Sequence, residues 1–137
     1  MSILGIHHIT IITADASRSA DFYTRVLGMH LVKKTVDFTS PDHYHLYFGD
    51  DQARPSTLVT CIEKPGAQRG HPGIGGTHHF ASIVETSEAQ LKWKRRLNDL
   101  GIAVTGPYNR VYFTSIYFRD PDGHLLELVT PGCWAIY

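Results

Sequence analysis

The chain repeats itself at a spacing of about seventy residues, and this duplication restricts its possible folds more than any other feature. The segment IHHITIIT, which begins at Ile6, recurs as THHFASIV, which begins at Thr77. YFGD from Tyr47 likewise matches YFRD from Tyr117, and a Pro-Gly pair closes each copy. Because these offsets agree, the sequence predicts two copies of one structural unit.

Hydrophobic periodicity predicts the same element order in both copies. Alternating Ile, Val and Thr residues over 3–13 and 77–84 are typical of strands, and each stretch precedes a run with apolar residues at helical spacing. Three further strand-like runs follow each helix. We therefore predict an α+β fold of two tandem βαβββ units, residues 1–66 and 77–132, with a glycine-rich linker over 67–76.

The ends of the two predicted helices carry local signals. Asp15 and Ser87 offer N-cap oxygens, and Ser87 with Gln90 has the spacing of a capping box. Gly28 and Gly101 stand where a helix often ends in the left-handed conformation. Both helices are therefore expected to lie between a polar cap and a glycine.

Composition limits the partners that such a chain can attract. Thirteen basic and thirteen acidic residues give zero formal charge, so we expect neither nucleic acid nor an anionic membrane as a partner. No signal-peptide pattern and no apolar run of membrane-spanning length is present, which favours a cytoplasmic protein. Cys61 and Cys133 lie far apart and are expected to be reduced thiols.

Nine histidines are many for 137 residues, and two adjacent pairs recur at equivalent repeat positions. Strand alternation predicts that His8 and Thr10 share one face of the first strand, while His7 lies on the other. In the second copy, His79 occupies the position of His8. Imidazole is the most common metal ligand among side chains, so the recurrence predicts a metal site.

One carboxylate completes the candidate ligand set. Glu127 stands between two leucines in the last predicted strand, where a buried charge is costly unless it is paired or bound to metal. Counting back from the Pro-Gly pair places Cys61 at the equivalent position of the first copy. The preferred set is His8, His79 and Glu127, because two imidazoles and one carboxylate suit an Fe(II) ion that leaves positions open for substrate and dioxygen.

The chain resembles the vicinal oxygen chelate superfamily of glyoxalases, bleomycin-resistance proteins and extradiol dioxygenases over nearly its whole length. More narrowly, it is similar to ring-cleaving dioxygenases of the hydroquinone 1,2-dioxygenase type in GIHHIT, DFYTRVLGMHLVKKTVDF, YHLYFGD, GTHHFAS, NRVYFTSIYFRDPDG and LLELVT. The resemblance implies a glyoxalase-like open barrel built from paired βαβββ units. It also implies Fe(II) bound by His8, His79 and Glu127.

The resemblance assigns further site residues. Arg110 and Tyr117 match an arginine and a tyrosine beside the family's metal ligands, and His7 and Thr10 match a neighbouring histidine and threonine. Tyr117 lies ten residues before Glu127 across a tight turn, so it could move a proton at a substrate oxygen; a packed strand aromatic gives the same pattern. Arg110 would hold an oxygen of the reacting groups, or lie solvated at a strand edge.

The leading hypothesis is an Fe(II)-dependent extradiol-type dioxygenase that cleaves a hydroquinone or catechol ring with dioxygen. Such dioxygenases have four units in about twice this length, so we expect a homodimer to restore four units, with metal ligands from one chain or from two.

Other functions on the same scaffold remain open. One alternative is a Mn(II)-dependent thiol transferase of the fosfomycin-resistance type, and another is a metal-free protein of the bleomycin-resistance type that sequesters an aromatic ligand. A lyase or isomerase of the glyoxalase type would use a fourth ligand, and Cys61 is expected in that place. His43 and His45 lie in a strand without a recurring ligand and are interpreted as pocket or packing residues.

Overall fold

The computed structural model describes residues 1–132, which divide into two units. The first unit comprises Met1–Arg69 and the second begins at Gly70. Within the described part of the chain, every helix is too short or too polar to cross a membrane. Cys61 is fully buried, whereas Cys133 lies outside the described residues.

The first unit has the predicted order of one strand, one helical segment and three strands. Its helix continues into a π-helical turn over Phe22–Val26. The elements are β1 (His8–Thr13), α1 (Ala16–Asp21), β2 (His30–Asp37), β3 (Ser40–Gly49) and β4 (Leu58–Glu63).

The second unit repeats this order. Its elements are β5 (Phe80–Ile83), α2 (Ser87–Asp99), β6 (Thr105–Asn109), β7 (Thr114–Arg119) and β8 (Leu125–Val129). The two sheets have matching strand orders, β1-β4-β3-β2 and β5-β8-β7-β6, and in each the first strand lies parallel to the last. The predicted α+β fold of tandem βαβββ units is therefore confirmed, and both sheets are open.

Each sheet buries one face. In the first unit, Leu46 and Phe48 of β3 are buried, and the ring of Tyr23 stacks on Phe48 with centroids 5.2 Å apart. In the second, Ile116 and Phe118 of β7 take the equivalent positions and are equally buried. Because strand side chains alternate, the opposite face of each sheet carries the residues between these positions. We call it the open face.

The helix N-termini agree with the sequence prediction in one unit only. Asp15 is the N-cap of α1, and its Oδ1 accepts a hydrogen bond from the backbone of Arg18 at 2.9 Å. The prediction of Ser87 was wrong, because Thr86 is the N-cap of α2 and accepts from the backbone of Ala89 at 3.0 Å. The extended backbone of Thr86, with φ −149°, is the conformation that an N-cap requires.

Gln90 does not form the predicted capping box. Its side chain is buried and donates hydrogen bonds to the carbonyls of Thr114 and Leu128, at 2.9 and 2.8 Å. The amide thus ties α2 to β7 and β8 instead of to its own N-terminus. The helix ends follow the prediction, since Gly28 and Gly101 adopt φ values of 72° and 78°.

Candidate metal centre

The centre of β8 places Glu127 on the open face of the second sheet. Glu127 pairs with Ala81 of the parallel strand β5 and with Tyr117 of the antiparallel strand β7. Its two leucine neighbours turn toward the buried face, which leaves the carboxylate facing away from α2. Glu127 is only 5 % exposed, and a charge at this depth requires polar partners.

His79 and Tyr117 supply those partners. The Nε2 atom of His79 lies 2.8 Å from Oε2 of Glu127, and the Tyr117 hydroxyl donates to Oε1 at 2.8 Å. Two ligands at about 2.0–2.1 Å from one ion, at an angle of roughly 90°, lie about 2.9 Å apart. The imidazole and the carboxylate therefore fit the spacing of two ligands of a single metal ion.

Arg110 extends the arrangement. Its Nη2 atom donates to the Tyr117 oxygen at 3.2 Å, and its guanidinium carbon lies 5.6 Å from the centre of that ring. Since the arginine occupies the oxygen of Tyr117 as a donor, the hydroxyl hydrogen is directed to Glu127. The second unit thus brings together four of the predicted site residues: Arg110, Tyr117, Glu127 and His79.

The other two predicted site residues, His8 and Thr10, belong to the first unit. Both lie exposed on the open face of β1, while Ile11 and Thr13 are buried, so the predicted alternation holds within the strand. Thr10 pairs with Thr60 of β4, and Thr60 pairs in turn with Tyr47 of β3.

This register corrects the repeat position assigned to Cys61. Thr60 stands between Thr10 and Tyr47 as Glu127 stands between Ala81 and Tyr117, so Thr60 is the equivalent of Glu127. Counting from the Pro-Gly pair failed because the first copy has one residue more between this strand position and that pair. Cys61 is fully buried on the opposite face and does not stand in the place of a fourth ligand.

The paired histidines contact each other at the start of their strands. The Nδ1 atoms of His7 and His8 lie 3.0 Å apart, and those of His78 and His79 lie 2.8 Å apart. Regular pairing begins only at His8 and at Phe80, so strand alternation does not separate the two rings of each pair. With Nε2 of His79 directed at Glu127, its Nδ1 is left to bond with His78, which fixes the orientation of the ring.

A second group of potential ligands lies in the turn between β7 and β8. Asp120, Asp122 and His124 each offer an atom within 4.8 Å of the others. The Asp120 carboxylate accepts from the backbone nitrogens of Asp122 and His124 at 3.0 and 2.9 Å, and its Oδ2 lies 2.8 Å from Nδ1 of His124. These hydrogen bonds are those of the turn itself and account for the cluster.

Sequence reasoning gave no role to Thr60 and left His45 as a pocket or packing residue. The Nε2 atom of His45 lies 3.1 Å from the Thr60 hydroxyl, which donates to Thr10 at 2.8 Å. Partial burial lowers the pKa of His45, an effect that the nearby Asp37 carboxylate opposes. Aligning the copies on Tyr47 and Tyr117, instead of on their Pro-Gly ends, would have identified Thr60.

Comparison with known proteins places this geometry in a family context. A family model described as Glyoxalase/Bleomycin resistance protein/Dioxygenase superfamily matches residues 5–128. The match confirms the resemblance inferred from the repeated motifs.

Two relatives are named as dioxygenases. The chain is 40% identical over 129 residues to the Bacillus subtilis protein named "Putative ring-cleaving dioxygenase MhqO", covering 92% of this chain and 40% of that protein. It is 31% identical over 121 residues to the chlorohydroquinone/hydroquinone 1,2-dioxygenase of Sphingobium indicum, covering 86% of this chain and 37% of that protein. The chain thus spans about two fifths of the length of these curated relatives.

A solved structure supports the same relationship. The crystal structure titled "putative dioxygenase from Bacillus subtilis" superimposes with a TM-score of 0.87 at 37% identity. The match covers 94% of this chain and 41% of that one.

Proposed function

Since the chain belongs to the Glyoxalase/Bleomycin resistance protein/Dioxygenase superfamily, we propose that it is an Fe(II)-dependent extradiol-type dioxygenase that cleaves a hydroquinone or catechol ring. One observation carries the proposal: His79 Nε2 and Glu127 Oε2 converge to 2.8 Å, with the Tyr117 hydroxyl on the second carboxylate oxygen. Relatives named as ring-cleaving dioxygenases supply the reaction class.

The proposed ligands are His8, His79 and Glu127. This donor set, two neutral imidazoles and one carboxylate, is the one that suits mononuclear Fe(II) oxygenases. Bound there, Fe(II) would supply Lewis-acid and redox chemistry at open positions for an ionised aromatic oxygen and for dioxygen. His8 enters the set because it is the repeat equivalent of His79, and it comes either from the same chain or from the partner in a homodimer.

The other side chains of the second unit orient the carboxylate and act on the substrate. Tyr117 holds Oε1 of Glu127 by its hydrogen bond, which leaves Oε2 directed toward His79. Arg110 is permanently charged and contacts the Tyr117 oxygen, so it stabilises negative charge that develops on that oxygen or on a phenolic oxygen beside it. With Arg110 stabilising its deprotonated form, Tyr117 can transfer a proton to or from the substrate hydroxyl.

Metal analysis of protein purified without oxygen tests the proposal directly. We expect iron in the purified protein, and oxygen uptake when members of a panel of hydroquinones and catechols are added. Manganese in place of iron, together with thiol addition to fosfomycin, would instead identify a thiol transferase. Protein without metal that binds the aromatic compounds unchanged would identify a sequestering protein.

Substitution of the first-unit histidines tests the third ligand. We expect His8→Ala to abolish metal retention, because it removes one of three proposed donors, whereas His7→Ala retains the metal. Metal content per folded chain is the measurement, with circular dichroism as the check on folding. Equal loss in both variants would contradict the assignment of His8.

Mixing two inactive variants shows whether the ligands come from one chain or from two. Metal-free His8→Ala and Glu127→Ala proteins are combined, dissociated and reassembled. If the ligands come from two chains, a mixed dimer regains one intact site and its metal. If they come from one chain, the mixture stays without metal.

A further inference from the structure

Four polar side chains form a continuous row across the open face of the first sheet. The Tyr47 hydroxyl lies 3.4 Å from Nδ1 of His45, and Nε2 of His45 lies 3.1 Å from the hydroxyl of Thr60. The Thr60 hydroxyl donates to Thr10 at 2.8 Å. The row therefore connects β3 to β1 through β4 and ends two residues beyond His8.

The hydrogen bonds of this row have a defined direction. Thr60 has one hydroxyl hydrogen, and it is used in the bond to Thr10. Toward His45, Thr60 can then only accept, so Nε2 of His45 carries the hydrogen. A neutral imidazole has one N–H, so Nδ1 is the acceptor and the Tyr47 hydroxyl donates to it.

The direction fixes what Thr10 can offer to a ligand. One lone pair of its oxygen is occupied by the hydrogen from Thr60, and its own hydrogen remains available on the exposed side of the face. The burial of Thr60, which is 0% exposed, keeps water from replacing His45 as its donor. Thr10 is thus set up to donate a hydrogen bond to a group bound beside it.

We propose that His45 is a positioning residue, which acts through Thr60 to make Thr10 a hydrogen-bond donor to an oxygen of the bound ligand. The ligand would present an acceptor there, such as an ionised ring oxygen or a carboxylate. This inference rests on the proposed function for the class of ligand. It adds that the ligand must present a hydrogen-bond acceptor beside Thr10. Alanine occupies the equivalent of Thr10 in the second unit, Ala81, so the donor belongs to the first unit alone.

Binding of 4-nitrocatechol to the iron-loaded protein under argon tests the inference without turnover. We expect Thr10→Val to weaken binding by about tenfold or more, the effect of losing a hydrogen bond to a charged oxygen. His45→Leu should weaken binding by about three- to fivefold, because Thr10 then loses its fixed direction. His45→Gln, whose amide can still donate to Thr60, should restore binding to within about twofold of the original.

The double variant separates positioning from a general loss of structure. If His45 acts through Thr10, His45→Leu has almost no further effect in the Thr10→Val background. An equal loss in both backgrounds, or no loss in Thr10→Val, would overturn the inference. Iron content and thermal melting of each variant exclude loss of metal or fold as the cause.

Oxygen uptake by the iron-loaded, unsubstituted protein separates this inference from the proposed function. If His45→Leu weakens 4-nitrocatechol binding only while Thr10 is present, but the unsubstituted protein takes up no oxygen, the positioning role stands and the dioxygenase is rejected. If the unsubstituted protein takes up oxygen, but His45→Leu weakens 4-nitrocatechol binding equally with and without Thr10, the dioxygenase stands and the positioning role is rejected. Failure of the unsubstituted protein to bind the probe would overturn both.

Discussion

The two units carry the same tyrosine at the same register and use it differently. In the second unit, Tyr117 donates to the Glu127 carboxylate and accepts from Arg110. In the first unit, the Tyr47 hydroxyl contacts His45, and a threonine, Thr60, replaces the carboxylate. The repeat thus keeps the same backbone pairing, while one unit presents a carboxylate, the proposed metal ligand, and the other a row of hydroxyl and imidazole groups.

A single residue at the centre of the last strand accounts for much of the difference between the carboxylate of the second unit and the hydroxyl of the first. Thr60 and Glu127 occupy equivalent strand centres, and both are almost fully buried. A carboxylate at this depth requires compensating donors, which His79 and Tyr117 provide. A hydroxyl needs only one donor and one acceptor, and His45 and Thr10 satisfy it.

Exchanging the central residue should give the largest effect. Glu127→Thr places the residue of the first unit in the second, and we expect it to lower iron affinity by about a hundredfold or more, because the proposed charged ligand is lost. Thr60→Val is the matched control in the first unit and should leave the iron content unchanged. Anaerobic iron titration of both variants is the measurement. Comparable iron loss in Thr60→Val would show that the two units do not differ as described.

Removing the tyrosine hydroxyls should give the next largest effect. Tyr117→Phe is expected to lower the rate of the proposed ring cleavage by about ten- to a hundredfold, since it removes both a proposed proton donor and a hydrogen bond to Glu127. Tyr47→Phe removes only a 3.4 Å contact with His45 and should change the rate by less than about threefold. Steady-state rates with one catechol decide between these expectations, and equal reductions would contradict the unequal roles.

The helix caps differ in a way that stability measurements can resolve. Thr86→Ala should lower the free energy of unfolding by about 1 kcal/mol, because it removes the hydrogen bond to the backbone of Ala89. Ser87→Ala should change it by less than about 0.5 kcal/mol. Urea unfolding monitored by circular dichroism is the measurement. A larger loss of unfolding free energy for Ser87→Ala than for Thr86→Ala would identify Ser87 as the N-cap, as the sequence predicted.

The smallest effect concerns the turns that follow β3 and β7. Asp50 and Asp120 are repeat equivalents, and each bonds to a residue four positions on, Arg54 in the first unit and His124 in the second. The hydrogen bond that His124 donates to the Asp120 carboxylate raises the pKa of His124. Its contribution to stability is therefore complete below the unfolded pKa and is lost as pH rises through the folded pKa.

Arginine stays charged over this range, so the pair in the first unit has no such dependence. We therefore expect His124→Arg to reduce the fall in unfolding free energy between about pH 5.5 and about pH 8.5, by less than about 1 kcal/mol. Urea unfolding at both pH values measures the difference. An unchanged fall in the variant would mean that other groups cause the pH dependence.

The repeat made the order of helices and strands predictable, but the residue at which a strand begins depends on its partner strand. The alternation of the first strand appeared to start near residue 3, yet β1 begins at His8, which pairs with Leu58 at the start of β4. Ile3 and Leu4 fit the hydrophobic pattern but are almost fully exposed. A pattern in one segment does not reveal where its hydrogen-bonding partner begins.

The candidate site shows a similar division. The grouping of His79, Glu127 and Tyr117 was predictable because Glu127 and Tyr117 lie in paired strands of the repeat and His79 directly precedes the strand beside Glu127. The role of Thr60 was not, because a one-residue difference in loop length shifts any count made from the end of the copy. The direction of the His45 hydrogen bonds depends on three strands at once and is visible only in the structure.

Anomalous X-ray diffraction from crystals of the iron-loaded protein tests the central claim most directly. The account predicts one iron peak per chain, at about 2.0–2.3 Å from His79 Nε2, a carboxylate oxygen of Glu127 and an imidazole nitrogen of His8. An iron peak at Asp120 and His124 instead, or a peak near Glu127 without His8, would contradict it.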